Sequence, residues 1–354
     1  MTSQRRIVFV SHTHAAGVFR VGSHHLAREM SRLGYRVAHI STPYSLAHAA
    51  LNKGAEGRRE QADRGPFIDA DGVLQLVPRT VLPVQYSTSR YLSRALTRHG
   101  FRGSDFMIVD QPLMVTKEIA ALAKTVVYRP TDLYISGNAA RKQDLALQLA
   151  QGVVATSEEV LRSLKVPAGI PSAFLPNGVE LSRFANAGDR VRSGSIYVGA
   201  LDDRFDWDAI RSFALAAPES PLRLAGPIAS AVPALPQNVE ILGPVPYESV
   251  PGLLASARIG LLPFSDAESN RGRSPMKLYE YLASGLFVVS RHTPVIASYS
   301  LPGVHLYEQP EEVSSLFTGG TLPDGINADG VHSAREQDWT TKAQVLEKFL
   351  LALP

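Results

Sequence analysis

Cysteine is absent from all 354 residues, which excludes disulfides and thiolate metal sites and suits a reducing compartment. Long apolar runs are missing as well. A membrane span needs about 18 to 20 consecutive apolar residues, and the first run, Ile7 to Val10, is too short even for the core of a signal peptide. The chain is therefore expected in the cytoplasm, or peripherally on the inner face of the cytoplasmic membrane. Charged residues make up only 19% of the sequence, and hydrophobic residues 45%, enough apolar material for packed cores and too much for a disordered chain. No Gly-x-Gly-x-x-Gly turn follows the first strand of either half, which argues against a hydride-transfer dehydrogenase.

What charge there is lies unevenly. The net value is +3, yet Lys and Arg outnumber Asp and Glu 23 to 14 over residues 1–185 and are outnumbered 13 to 19 in the remainder. A basic half joined to an acidic half implies that the former meets something anionic, such as a lipid surface or a phosphorylated substrate. No nucleic-acid-binding motif is visible, so no nucleic acid partner is expected.

The length is comfortable for two domains, and the hydrophobic pattern supplies two α/β series. In the first, Arg6 to Ser11 reads as a buried strand, followed by a helix through Leu26, Met30 and Leu33 with Ser23 as N-cap and Gly34 as stop. Strands follow at Tyr35 to Ser41, Phe106 to Asp110, Thr125 to Arg129 and Gly152 to Ala155. Asn52 to Pro66 reads as a loop. In the second, strands at Gly194 to Val198, Leu222 to Ala225, Val239 to Leu242, Ile259 to Pro263 and Leu286 to Ser290 alternate with helices at Asp208 to Ala216, Pro251 to Ala257 and Lys277 to Ser284. Asn186 to Ser193 is the natural linker. The expected fold class is α/β with two Rossmann-like domains, 1–185 and 194–333, and a terminal helix over 334–354. That helix has Trp339, Val345, Phe349 and Leu350 as an apolar stripe, and either crosses back to the first domain or docks on its own.

The segment richest in chemistry runs from Leu261 through Phe264 and a polar loop to the helix beginning near Ser274. A helix N-terminus offers unpaired N–H groups and the positive end of a dipole, which suits a phosphate. Lys277 adds a full charge in the first turn, and Glu280, one turn on, can accept hydrogen bonds from ribose hydroxyls. A capped surface helix with both side chains in solvent is the alternative.

This segment resembles the donor-site signature of GT-B glycosyltransferases: Lys277, Glu280, Tyr281-Leu282-Ala283, Gly285 and Val288-Val289 stand in the family's order. Further segments resemble the same family along most of the chain: Leu175-Pro176-Asn177-Gly178-Val179-Glu180, the glycine turn Tyr197-Val198-Gly199-Ala200-Leu201, Leu224-Ala225-Gly226 and Leu242-Gly243-Pro244-Val245. The resemblance implies two domains facing a cleft, with a nucleotide-sugar donor, favoured as a UDP-sugar, on the second. Lys277 would meet the pyrophosphate, Glu280 the ribose and Val245 the base. Gly199 would let the chain approach the phosphates. Leu201, Gly226, Phe264, Ser274 and Met276 complete the implied donor set.

The retaining family-4 pattern places a Glu eight residues before the ribose Glu, where this chain has Gly272; Glu268 is out of register. A closer resemblance is to xanthan-type exopolysaccharide glucuronosyltransferases, which are inverting. Val126-Val127-Tyr128-Arg129-Pro130-Thr131-Asp132 matches their strand that ends in an Asp taken as general base. It implies a base at Asp132 and an acceptor that is a saccharide or lipid-linked saccharide, with neither cofactor nor metal. Asp132 otherwise caps the next helix or pairs with Arg129. His12, at the first strand end, is the rival base. With His14, His24 and His25 it forms a histidine cluster, but no carboxylate or cysteine completes a metal set; His24 and His25 read as packing and surface. Arg90, Arg94 and Arg98 recur four apart on a helix whose other face is Tyr91, Leu92, Ala95 and Leu96. This is either a membrane- or acceptor-facing surface or an ordinary exposed helix. A nucleotide-sugar 2-epimerase of the same fold, or a non-catalytic sugar-nucleotide-binding partner of another transferase, are the rival functions.

Overall fold

The computed structural model describes residues 4–14, 20–47, 56–83, 90–184, 191–318 and 325–354. The chain divides into two compact units, Met1–Pro176 with Trp339–Pro354, and Asn177–Asp338.

Among the described residues the main sheet of the first unit has eight strands: β1 (Arg6–Val10), β2 (Arg36–Ile40), β3 (Phe67–Ile68), β4 (Leu74–Leu76), β5 (Ser104–Val109), β6 (Ala123–Tyr128), β7 (Gly152–Ala155) and β8 (Ser172–Phe174). They stand in the order β8-β7-β6-β5-β1-β2-β4-β3. Every pair is parallel except β3 with β4. Val8 lies level with Ala38 on one side and Met107 on the other. All three are fully buried, as expected of a parallel sheet covered on both faces, whose strands read as unbroken apolar runs.

The second unit carries β9 (Ser195–Val198), β10 (Leu222–Ala225), β11 (Val239–Gly243), β12 (Ile259–Leu262), β13 (Phe287–Arg291) and β14 (Val304–Tyr307). Their order is β11-β10-β9-β12-β13-β14, parallel throughout. Each sheet reverses its direction of growth once, between β1 and β5 and between β9 and β12. Open α/β sheets gather ligands just beyond the carboxyl ends of the strands at such a reversal. In the first unit these ends lead into Ser11-His12 and Asp110, in the second into Gly199 and Pro263-Phe264.

The structure corrects several expectations. The division falls between Pro176 and Asn177, ahead of the 186–193 segment, of which 186–190 lie outside the described residues. Asn177 is fastened into the second unit: its backbone N–H donates to Ser274 Oγ at 3.1 Å and its side chain to the Ser274 carbonyl at 2.7 Å. Val179 bridges to Asp338 in the same unit. The terminal pattern is two helices, Ala328–Arg335 and Trp339–Leu351, and the second belongs to the first unit. Its buried face is Trp339, Lys342, Ala343, Leu346 and Leu350, a true 3.6-residue stripe, whereas Val345 is exposed. Within the segment expected as a loop, residues 52–55 lie outside the described set and Glu56–Arg64 is a helix. Its Glu, Arg, Gln and Ala residues are good helix formers, and Gln61 and Ala62 supply the buried side. The N-cap of Gly22–Arg32 is Val21 rather than Ser23.

Candidate functional site

In the second unit the helix Met276–Ala283 brings Lys277 to the end of β9. Its Nζ donates to the Tyr197 hydroxyl at 3.2 Å and stands 4.7 Å from that ring's centroid, a cation–π contact. The Tyr197 hydroxyl in turn donates to the Ala200 carbonyl at 2.9 Å. The approach depends on glycine. A Cβ at Gly199 would lie 2.2 Å from Lys277 Nζ, and one at Gly226, where β10 ends, 1.8 Å from the Gly199 carbonyl oxygen. Three pieces of sequence far apart in the chain, Gly199, Gly226 and Lys277, are thus interlocked.

Electrostatics follow from burial. Lys277 keeps partial solvent access, but burial, then the neighbouring Arg273, lowers its pKa to about 7 against the pull of Glu280. Glu280 is buried, and this raises its carboxyl to about 7 against Lys277 and the Tyr247 hydroxyl. The site therefore holds an ammonium and a carboxyl group that are each costly to keep charged, beside the guanidinium groups of Arg273 and Arg204. Burial would raise Asp202, but Arg204 is ion-paired to it and holds its carboxyl below the usual range. An anion placed here would meet a surplus of positive charge. Tyr197 stands in the sequence only as the first residue of the glycine turn, and Arg204 and Arg273 belong to none of the quoted motifs. Arg273 directly precedes the Ser274-Pro275 step into the helix, and that adjacency was the available signal.

The other expected donor residues separate into two kinds. Val245 and Met276 are half-buried at a strand end and at the helix start. Ser274 is buried, its Oγ accepting from the Asn177 N–H and from the Tyr299 hydroxyl at 3.2 Å, so it ties the start of this unit to the helix. Leu201 and Phe264 are core residues. Leu201 is wholly buried, with its N–H donating to the Pro227 carbonyl and its own carbonyl accepting from Ala229. Phe264 bridges to Phe205 and lies under Arg273 at 5.8 Å. Their side chains support the loops rather than line an open surface.

In the first unit, β6 ends in Tyr128 and the chain continues through Arg129 to Asp132. Arg129 is fully buried and pairs with the equally buried Asp110, Nη1 to Oδ2 at 3.0 Å. Burial raises Asp110 to about 6 against that guanidinium. Beyond it, Thr156 Oγ1 donates to the Thr131 carbonyl at 3.2 Å, its N–H donates to the Pro130 carbonyl at 3.1 Å, and the Thr131 hydroxyl donates to Asp132 Oδ2 at 3.0 Å. The segment 129–132 is thereby clamped by groups following β5 and β7. Asp132 is half-buried. It does not cap the following helix, Gly137–Leu149, whose N-cap is Ser136, and Arg129 is ion-paired with Asp110.

His12 is half-buried at the end of β1, and its carbonyl accepts from Thr42 Oγ1 at 3.1 Å. His14, His24 and His25 are buried. His24 packs 4.5 Å from His39, and burial holds both imidazoles in the neutral form, His39 at about 3. Ser23 Oγ joins Ser11 Oγ at 2.9 Å and His39 Nε2 at 3.0 Å. His25 stacks on Trp339 at 5.0 Å and is not a surface residue. On the helix Arg90–Arg98, Arg94 and Arg98 are exposed and Leu92 and Leu96 buried, but Tyr91 is exposed with the arginines rather than packed. The Arg90 side chain lies outside the described residues.

These two sheets, each with its reversal point, define the class: by fold the chain is a GT-B protein, two Rossmann-like units in succession. Residues 207–319 match the family model described as Glycosyl transferase-like. A putative teichuronic acid biosynthesis glycosyltransferase, TuaH of Bacillus subtilis, is 26% identical over 228 residues. That match covers 57% of this chain and 57% of the relative. Among solved structures, Anabaena Alr3699/HepE in complex with UDP and glucose has a TM-score of 0.70 at 14% identity, covering 99% of this chain and all of that one. AviGT4, a glycosyltransferase involved in avilamycin A biosynthesis, has a TM-score of 0.61 at 17% identity, covering 98% and 97%.

Proposed function

We propose that the chain is a glycosyltransferase that takes its sugar from a nucleotide donor, with UDP-sugars favoured, and passes it to a saccharide or lipid-linked saccharide in surface polysaccharide or glycoconjugate synthesis. The observation that carries this reading is Lys277, held over Tyr197 and against Gly199 at a helix start beyond the reversal point of the second sheet. A diphosphate is the ligand such a group is made for: the helix N-terminus, Lys277 and Arg273 all favour negative charge, and no bulky side chain stands at position 199. The likeness to HepE, whose structure holds UDP, and to TuaH supports a UDP-sugar and a polysaccharide context.

In this reading the acceptor oxygen attacks the anomeric carbon from the face opposite the nucleotide. Asp132 takes its proton, the bond to the diphosphate breaks, and Lys277 with the helix end offsets the charge that develops on the leaving group. No divalent ion is required. The first unit, basic and bearing Arg94 and Arg98 on an exposed helix face, rests on anionic lipid at the inner face of the cytoplasmic membrane. Among the described residues no helix is long and apolar enough to cross a membrane.

A thermal-shift series with UDP, GDP and dTDP tests the donor assignment, since a ligand bound by the folded state alone raises its apparent stability. UDP should give the largest shift; no shift with any of the three would overturn the reading. Conversion of a UDP-sugar without acceptor would point instead to an epimerase.

A further inference from the structure

The second unit has a cavity of about 680 Å³ that shares no residue with the donor set. It lies beside the carboxyl ends of β12, β13 and β14, where Ser265, Arg291 and Gln309 line it. The start of the helix Trp207–Ala216 forms the opposite wall, with Trp207, Asp208 and Arg211. Its size falls within the range of small-molecule sites, but its lining is unlike an apolar ligand pocket: apart from Phe205, Trp207 and Pro310, every lining residue is polar or charged.

Two features make this wall a prepared surface. Arg291, only 12% exposed, is gripped by Asp206 at 3.4 Å and Asp266 at 2.6 Å, so its guanidinium is fixed in place. Asp206 also caps the helix through the N–H groups of Asp208 and Ala209. The Trp207 indole is fixed by an edge contact with Phe205 at 4.8 Å between centroids and by its N–H to Ser230 Oγ at 3.3 Å. A rigid aromatic ring costs little conformational entropy on binding.

The charge selects among ligands. Four carboxylates, Asp206, Asp208, Asp266 and Glu311, stand against two guanidinium groups, Arg211 and Arg291. A phosphate or a uronate would meet net repulsion. A neutral sugar would not. Its hydroxyls both donate and accept, and planar groups such as carboxylate, guanidinium and amide can engage vicinal hydroxyls in pairs. The C–H face of a sugar ring has an apolar partner in the indole.

We propose that this cavity is a binding site for neutral saccharide, separate from the Lys277 site. The reading does not rest on the donor assignment. The test is ligand-observed NMR on the whole chain with maltohexaose, cellohexaose, xylohexaose and mannohexaose, with and without saturating UDP, beside hexagalacturonate and chitosan hexamer as charged controls. At least one neutral hexamer should bind at millimolar concentration in both conditions. Gln309→Trp, which fills the cavity from an exposed position, and Trp207→Leu should each weaken it at least about tenfold without changing the thermal shift given by UDP. The Gln309 variant keeps the test sound if the Trp207 variant folds poorly. The proposal is overturned if no neutral hexamer binds, if UDP displaces the one that does, if a charged hexamer binds more tightly, or if neither folded variant weakens binding.

Discussion

At the level of single residues, Lys277 shows how a side chain can be held in readiness at some expense to stability. Burial that lowers it to about 7 means that the protonated form is held fully only below neutral pH. A bound diphosphate favours the ammonium and raises its pKa, so binding above pH 7 must take up a proton. UDP affinity is therefore expected to fall as pH rises from 7 toward 9, and titrations in buffers of different ionisation enthalpy should register the uptake; a flat profile would remove Lys277 from the contact. Lys277→Ala should weaken UDP by about 1.5 to 3 kcal/mol, the loss of a charge-assisted hydrogen bond, with the melting temperature kept or raised. In the first unit the corresponding residue is Asp132. Asp132→Asn preserves size and the contact with Thr131 but cannot accept a proton. Turnover should drop roughly a hundredfold to ten-thousandfold while UDP still binds. Near-normal turnover by the folded variant would move the role to His12.

Elements place those residues, and they were the most legible part of the sequence. Gly152–Ala155 and Ile259–Leu262 fall where the apolar runs put them, because a strand buried on both faces shows consecutive apolar or small residues. Two strands show no such run and were not read. Ser172–Phe174 is mostly exposed and Val304–Tyr307 mixes polar and apolar positions, so their parallel pairing with β7 and β13 could be found only in space. Site residues divide likewise. Lys277 and Glu280 could be read from their spacing on one helix. The clamp on Asp132 could not, because Asp110, Arg129 and Thr156 follow three different strands and meet only when β5, β6 and β7 lie side by side. The Arg90–Arg98 helix was legible by period, and its test is electrostatic. Flotation with anionic liposomes should retain the chain at low salt and release it at high salt, and a double Arg94→Glu, Arg98→Glu variant should fail to float. Equal flotation with neutral lipid would argue for an ordinary exposed helix.

Over the whole molecule, the chain returns to its first unit at the end. The second unit is one continuous stretch, Asn177–Asp338, whereas the first is completed by the helix Trp339–Leu351. That helix packs on Gly22–Arg32: Trp339 is buried and stacked on His25, and Thr340 Oγ1 donates at 3.2 Å to Glu29, a buried carboxylate also held by Arg28 and Arg32 at 2.8 Å. The two units should therefore respond differently to damage at this point. Trp339→Ala is expected to cost about 3 to 5 kcal/mol, a large share of the roughly 5 to 15 kcal/mol available to a domain, and the loss should fall on the first unit. Lys277, Glu280 and Gly199 lie in the other unit, so UDP binding should persist. Calorimetry with and without UDP separates the cases. In the variant, a low-temperature transition insensitive to UDP should part from a higher one that UDP raises. A single transition that UDP shifts as a whole would mean that the units unfold together, and that the returning helix stabilises both.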